Sequence, residues 1–361
     1  MTSTAGTTRT TVTLRTAATI GAVGLALAGC SLTAGERDEP AGGSTGGGEL
    51  TVVTHDSFAL SEELLADFEA ETGYSLTFVA PGDGGALVNQ LVLTKDSPLG
   101  DVVYGIDNTF AARAVDAGVL EPYTSPDLPD SAGEYVLDEA LTPVDVGDVC
   151  VNVDHQWFAD AGLPEPVTLE DLADPAYRDL LVVTNPATSS PGLAFLAATV
   201  GAFGDGWQDY WADLADNGVK VVEGWSDAYY VDFSGSEGAG PRPLVLSYAS
   251  SPAAEVPEGG GDPRTGALLE TCFRQVEHAG VIAGAENPEG ARAFVDLLVS
   301  ADVQADIPGQ MFMYPVDTTA PLPEAWAAHA PLAEDPHDVP AEQIAAERED
   351  WIAAWTEIVI G

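Results

Sequence analysis

The side chains best suited to hold a small ligand fall in four short segments, each where an extended run gives way to a turn. They are His55-Asp56-Ser57-Phe58, Gly82-Asp83-Gly84-Gly85, Gly105-Ile106-Asp107-Asn108 and Thr188-Ser189-Ser190-Pro191-Gly192. Strand ends are where open α/β sheets bind ligands. Taken singly, Gly-Asp-Gly-Gly is an ordinary turn, because Gly supplies positive φ and Asp caps helices; His55 alone is an ordinary hydrogen-bonded side chain. The 188–192 segment carries more chemistry. A hydroxyl N-cap with Pro at the first helical position leaves backbone N–H groups free at the positive end of a helix, a site for a phosphate or carboxylate. A plain helix cap has the same pattern. Aromatic residues follow other strands: Trp225, Tyr229 and Tyr230, then Tyr248, then Phe312 in a Gly-rich loop. Beside Asp56, Asp83 and Asp107 they can form a cage for a flat cationic heterocycle, each cation–π contact contributing about 1 kcal/mol.

Catalytic signatures are missing from the chain. It has no His-Glu-x-x-His pair, its Gly-x-Ser-x-Gly match at Gly42-Gly43-Ser44-Thr45-Gly46 lies in a Gly- and Ser-rich run and not between a strand and a helix, and His55, His155, His278, His329 and His337 stand outside any motif. In so acidic a sequence a pair of carboxylates says nothing about hydrolysis. No paired Cys and His spacing points to zinc. A binding protein without metal or cofactor is expected, not an enzyme; a secreted hydrolase is the weakest reading.

The elements that position these residues alternate. Leu50 to Thr54 reads as a strand, Ser61 to Thr72 as a helix with Leu64, Leu65 and Phe68 on one face, and Ser75 to Ala80 as a strand. Ala86 to Leu93 (helix), Asp101 to Tyr104 (strand) and Asn108 to Ala117 (helix, stopped by Gly118) continue the pattern, which implies a parallel sheet. The stretch VDVGDVCVNVDH from Val144 reads as two short extended runs that cross to a second α/β set. That set holds strands at Leu180 to Thr184, Val219 to Val222 and Leu244 to Ser247, and helices at Gly192 to Val200 and around Trp207 to Ala215. Thr271 to Val276 is a strand heading back, and Pro288 to Val299 is a helix. The fold class is α/β: two lobes joined by hinge crossings, with a ligand held in the cleft between them.

The ends and the composition bound the setting. Arg9 and Arg15 precede an uncharged run from Ala17 to Ala28, too short for a permanent span, that ends in Leu27-Ala28-Gly29-Cys30. Cys after Leu-Ala-Gly resembles the lipobox of bacterial lipoproteins, in which that thiol is lipidated. Residues 1–29 therefore read as a signal peptide, and 30–49 as lipidated Cys30 with a flexible Gly- and Ser-rich tether. Such a chain is exported and anchored by lipid to the outer face of the cytoplasmic membrane. About 310 residues remain, enough for two lobes, placed at 50–146 plus 279–361 and at 147–278. Seven Trp, ten Tyr and eleven Phe can build real cores. A formal net charge of −46, with Lys95 and Lys220 the only lysines, excludes nucleic acid as a partner. Cys150 and Cys272 remain, in a compartment where a disulfide can form, though sequence alone leaves their pairing open.

At the site segments the sequence resembles the periplasmic thiamine-binding proteins of ABC importers. The resemblance runs in order through Leu50 to Phe58, Gly105 to Asn108, Thr188 to Leu193, Gly224-Trp225-Ser226-Asp227-Ala228-Tyr229, Leu246 to Pro252, and Ile307-Pro308 to Met313-Tyr314-Pro315-Val316. It implies a type II two-lobed binding fold and, as ligand, thiamine, thiamine monophosphate or thiamine diphosphate. It also implies a membrane permease with an ATPase subunit as partners, and a monomeric binding protein. By this resemblance Asp83, Gly84, Ser189 and Ser190 hold a phosphate end, and Trp225 and Tyr248 fall on binding positions. Three positions depart from the family: His55 and Ala254 stand where Tyr is usual, and Phe312 where Trp is usual. Sister families bind ferric iron through adjacent tyrosines, and Tyr229-Tyr230 with His55 and Asp56 keeps that alternative open.

Overall fold

The computed structural model describes residues 47–236 and 240–361. The signal peptide, Cys30 and the tether as far as residue 46 lie outside the described residues. The chain opens with β1 (Gly48–Thr54), α1 (Glu62–Thr72) and β2 (Tyr74–Val79). Phe68 is buried from α1, and Gly73 stops that helix in the left-handed region. α2 (Gly84–Leu93), β3 (Val102–Asp107), α3 (Ala111–Ala117) and the short β4 (Leu120–Glu121) follow.

β5 (Thr142–Asp154) is a single 13-residue strand, buried throughout, where the sequence pattern suggests two short runs. Then come α4 (His155–Ala161), α5 (Leu169–Leu172), β6 (Leu181–Thr184), α6 (Ser190–Phe203), α7 (Trp207–Asp216) and β7 (Lys220–Val222). β8 (Leu244–Tyr248) and α8 (Ser251–Ala254) lead into β9 (Thr265–Ile282), 18 residues long and three times the length read from the sequence. The chain ends with α9 (Pro288–Leu298), α10 (Ala301–Gln310), β10 (Tyr314–Pro315), α11 (Trp326–His329) and α12 (Ala341–Val359). Among the described residues no helix is long and apolar enough to cross a membrane.

The sheet runs β2-β1-β3-β9-β5-β8-β6-β7, with β4 on β9 and β10 on β5. It is mixed rather than parallel. The pairs β1 with β2, β1 with β3, β6 with β7 and β6 with β8 are parallel, whereas β9 is antiparallel to both β3 and β5, and β5 to β8. The reason is that β5 and β9 cross between the two α/β halves in opposite directions. β5 pairs with β10 nearer its N-terminal end and with β8 nearer its C-terminal end, whereas β9 pairs with β3 and β4 over its C-terminal part and with β5 along most of its length. Pairing along its whole length explains why β5 does not break in two.

α6 is apolar on every side and buried from Ser190 to Val200. Such a helix must be covered all round. Trp211 of α7 stands edge-on to Phe195 at 5.6 Å and to Trp355 of α12 at 5.5 Å, and its indole N–H donates to Thr199 Oγ1 at 2.9 Å. α12 lies beyond the elements the sequence pattern marks, yet Ile344, Arg348, Trp351 and Trp355 form its buried stripe.

Cys150 and Cys272 form a disulfide between β5 and β9, where the register shifts between Val149 and Val151. The bond closes a span of 122 residues. Restricting so long a loop removes much of the unfolded chain's freedom. The double variant Cys150→Ala, Cys272→Ala is expected to lose about 2–5 kcal/mol in denaturant unfolding, and dithiothreitol to lower the wild-type melting temperature. Unchanged stability in both experiments would mean that strand pairing alone holds β5 against β9.

Candidate ligand-binding site

The two halves meet where the N-termini of α2 and α6 approach each other. Asp83 is the N-cap of α2, and its Oδ1 accepts from the N–H of Gly84 at 2.6 Å. The same oxygen accepts from the N–H of Ser190 at 3.0 Å, and Oδ2 accepts from the N–H of Trp225 at 3.0 Å. One carboxylate thus ties two helix ends and the loop after β7. Burial raises Asp83 above the ordinary carboxyl range, against the lowering effect of those N–H groups.

Backbone contact accompanies it: Ala86 N–H donates to Thr188 O at 2.8 Å, and Asn89 Nδ2 donates to Ala187 O at 3.0 Å. Only glycine permits this approach. A Cβ on Gly85 would sit 2.6 Å from the Thr188 carbonyl carbon, and one on Gly84 would sit 2.1 Å from Ser190 Oγ. The Gly-Asp-Gly-Gly segment is therefore a contact between halves as well as a turn.

Between the halves lies a cleft of about 240 Å³. Of the residues singled out in the sequence, His55, Asp56, Asp83, Ser190, Trp225, Tyr229, Tyr248 and Phe312 line it. Gly84, Asp107 and Ser189 sit behind the wall. Ser189, fully buried, caps α6 by accepting from Gly192 N–H at 3.3 Å, while its hydroxyl donates to Thr184 at 2.8 Å. Asp107 accepts from the N–H groups of Thr109 and Phe110, at 2.8 and 2.9 Å, and so fixes the start of α3. Burial pushes Asp107 up to about 6 despite those bonds.

Three rings form the aromatic wall. Trp225 and Tyr229 stack with centroids 4.9 Å apart and planes at 16°, and Tyr248 stands 6.5 Å from Trp225 at 64°. Trp225 is pinned at both ends, by its N–H on Asp83 and by its indole N–H on Ser247 Oγ at 2.9 Å. Tyr229 belongs to a wide helical turn over Asp227–Asp232 and donates to Glu255 at 2.9 Å; burial holds its phenol well above the usual range. That keeps it a neutral donor. Phe312 also lines the cleft, with φ +56, a conformation costing an L-residue about 1–3 kcal/mol, and its carbonyl accepts from Ser250 Oγ. Ala254 also lines the cleft.

The floor carries charge. Glu277 of β9 lies opposite Asp145 of β5 at the crossing, and Tyr104 of β3 donates to both carboxyls, to Glu277 at 2.9 Å. Burial drives Asp145 well above the ordinary range, and the neighbouring carboxylate adds to it. Burial pushes Glu277 the same way, but His55 and the Tyr104 hydroxyl more than offset this and hold it low. Asp145 keeps the proton and Glu277 the charge. His55 Nε2 stands 3.5 Å from Glu277 Oε1, an ion-pair distance without a hydrogen bond, and the ring packs over Gly105. Gly105 has φ +100, and a Cβ there would be 2.3 Å from the imidazole. Sequence reasoning missed Glu277 and Glu255, and it quoted the segments of Ser250, Ser251 and Met313 without assigning those residues to the site. Glu277 had a signal: an ionisable side chain inside an apolar strand.

Residues 97–335 match the family of bacterial extracellular solute-binding proteins. The chain is 32% identical over 316 residues to the thiamine-binding periplasmic protein of Escherichia coli (strain K12), covering 86% of this chain and 93% of that one. Its fold superimposes on a solved periplasmic thiamin binding protein with a TM-score of 0.75 at 29% identity, across 86% of this chain and 96% of that chain. Iron-bound HitA from Pseudomonas aeruginosa shares the fold with a TM-score of 0.67 at 19% identity, across 86% and 99% of the two chains.

Gly85→Ala tests whether the halves must come this close. Alanine favours a helix by about 1 kcal/mol over glycine, but the added Cβ would also meet the buried Phe110 ring at 2.8 Å, so overpacking is expected to lower stability by about 1–3 kcal/mol. The added Cβ should keep Thr188 from seating, and small-angle scattering should then report a larger radius of gyration than the wild type. An unchanged radius would show that the 188–190 loop yields instead.

Proposed function

The chain belongs to the bacterial extracellular solute-binding proteins, and from that premise we propose that it captures thiamine or a thiamine phosphate for an ABC importer. The observation that carries the reading is the cleft itself: stacked Trp225 and Tyr229, Phe312, and carboxylates at Asp83, Glu255 and Glu277 all line it. A flat cationic heterocycle fits such a wall through stacking and through charge. Family membership makes it a binding protein, not an enzyme. The permease and ATPase of the importer are its expected partners, and it is expected to act as a monomer.

The phosphorylation state turns on Asp83. A phosphate on the α6 N-terminus would take the Ser190 N–H that Asp83 now occupies. Thiamine, its monophosphate and its diphosphate therefore differ in how far they compete with a resident carboxylate. Hinge boundaries at 146/147 and 278/279 are supported by the crossing pair Asp145 and Glu277. α12, assigned by chain order to the first lobe, also lays Trp355 against α7 of the second.

Export fits the family, and the Leu27-Ala28-Gly29-Cys30 run supports a lipid anchor that keeps the capture domain beside its permease. Cys30→Ser is expected to release the protein into the medium with ligand binding intact. Continued retention at the membrane would remove the anchor from this account.

Calorimetry with thiamine, thiamine monophosphate and thiamine diphosphate tests the reading. At least one should bind, and no heat with any of them would overturn it. Trp225→Ala should weaken the binding by about 2 kcal/mol, roughly 30-fold, because a pinned, stacked indole is a typical anchor.

A further inference from the structure

Glu277 is a buried carboxylate of the cleft whose hydrogen-bond donors are neutral. Its Oε2 accepts from Tyr104 at 2.9 Å and its Oε1 from Gln275 Nε2 at 3.2 Å, both neutral donors. Asp145, directly across the strand pair, is pushed towards its neutral form by burial and hydrogen-bonds Glu277, and so adds no positive charge. The remaining neighbour is His55, whose Nε2 is buried, 3.5 Å away and without a hydrogen-bond partner. Both Glu277 and His55 line the cleft. A buried carboxylate facing an apolar wall needs a positive charge close by.

Two sources can supply it. His55 can take a second proton. Its Nδ1 accepts from the backbone N–H of Ser57 at 3.1 Å, a bond that exists only while the imidazole is neutral. Protonation therefore gives Glu277 its countercharge and breaks the hydrogen bond that shapes the 55–57 turn, itself part of the cleft wall. The other source is the ligand. A cationic ring against Trp225 and Phe312 lies over the same floor and leaves the turn intact.

We propose that Glu277 is the counter-charge of the cleft, shared in alternation by a proton on His55 and by the cationic ring of the ligand, so that capture of the cation releases a proton to solvent. The inference rests on the thiamine reading and names what in the site selects a cation. It makes Glu277 a specificity-determining residue and His55 a competitor that a neutral ring at this position could not provide.

The surroundings set the direction. Burial works against a charged His55, but the carboxylates of Glu277 and, more weakly, Asp83 and Asp56 outweigh it and hold the imidazole above its ordinary value. Tyr104 faces the ring from β3 at 5.4 Å between centroids. Around Glu277 stand Tyr104, Asp145 and Gln275, with Asp107 and Tyr248 further off. His278, next in sequence, is buried and held below its ordinary value, with its ring nitrogens on the carbonyls of Ile106 and Tyr135. It plays no part in the exchange. As pH falls through the raised value of His55, the proton takes Glu277 and ligand affinity falls. As pH rises, the proton leaves and affinity climbs to a plateau.

Calorimetry of the wild-type protein with thiamine, at about pH 6, 7 and 8 and in two buffers of different ionisation enthalpy, counts the protons exchanged. Release approaching one proton per ligand is expected below the His55 transition, about half a proton at it and none above it, with affinity falling by up to about 10-fold per pH unit below it. His55→Asn should abolish this release; exchange belonging to the ligand's own aminopyrimidine persists in that variant and is subtracted by it. Glu277→Gln should lose at least about 10-fold in affinity together with the pH dependence. The uncharged thiophene analogue of thiamine should release no proton from the wild type. Binding heat with the same proton count in wild type and His55→Asn overturns the inference alone, as does full affinity in Glu277→Gln. No heat with thiamine or either phosphate overturns the thiamine reading, and this inference with it.

Discussion

Two strands have to carry the chain between the halves, and at their crossing two carboxyl groups face each other in a buried place. Asp145 and Glu277 are register partners, both buried, and both accept from Tyr104. Like charges so close cannot both ionise in a medium of low polarity. The pair resolves this unequally, with the proton on Asp145 and the charge on Glu277. The choice follows from the cleft: Glu277 faces His55 and the ligand space, whereas Asp145 has a buried oxygen without a partner. On the opposite face of the same strands Asp148 and Arg274 close a two-bonded ion pair at 2.7 and 3.0 Å. One face of the crossing is electrically satisfied; the other keeps a charge in reserve.

The contact between the halves follows a similar economy. Asp83 saturates three backbone N–H groups drawn from two helix ends and a loop, so the α6 N-terminus, which alone would be an anion site, is already bound to a carboxylate. Gly84 and Gly85 let the backbones meet, and Trp225 is fixed by the same carboxylate that fixes the helices. The aromatic wall is therefore positioned by the contact between halves, and its geometry depends on their closing.

Much of this could be read from the chain. The βαβ opening, the helix caps at Asp83 and Ser189, and the aromatic residues after strands obey local rules, and the structure brings eight of the residues read as site candidates into one cleft. Asp107 and Gly84 were legible as structural or functional, and burial sends them behind the wall. The lengths of β5 and β9 were not legible. Antiparallel pairing over 13 and 18 residues joins segments more than a hundred residues apart, and no local pattern reports such a partner. Glu277 was hidden for the same reason: its meaning comes from Asp145 and His55, both distant in sequence.

The strongly acidic composition invites the idea that the whole molecule attracts cations, but distance argues against it. Surface charges beyond a Debye length, about 8 Å at physiological salt, are largely screened, so most of the −46 bears on solubility and long-range steering rather than on what the cleft holds. Selection for a cation has to come from charges that water and salt do not reach. Glu277 is such a charge, at 5% exposure beneath an aromatic wall. Ala254 and Phe312 line the same cleft, and a titratable ring at His55 stands next to the buried carboxylate. A buried carboxylate beside an imidazole is a charge that answers to pH, and in this cleft His55 is the imidazole beside Glu277.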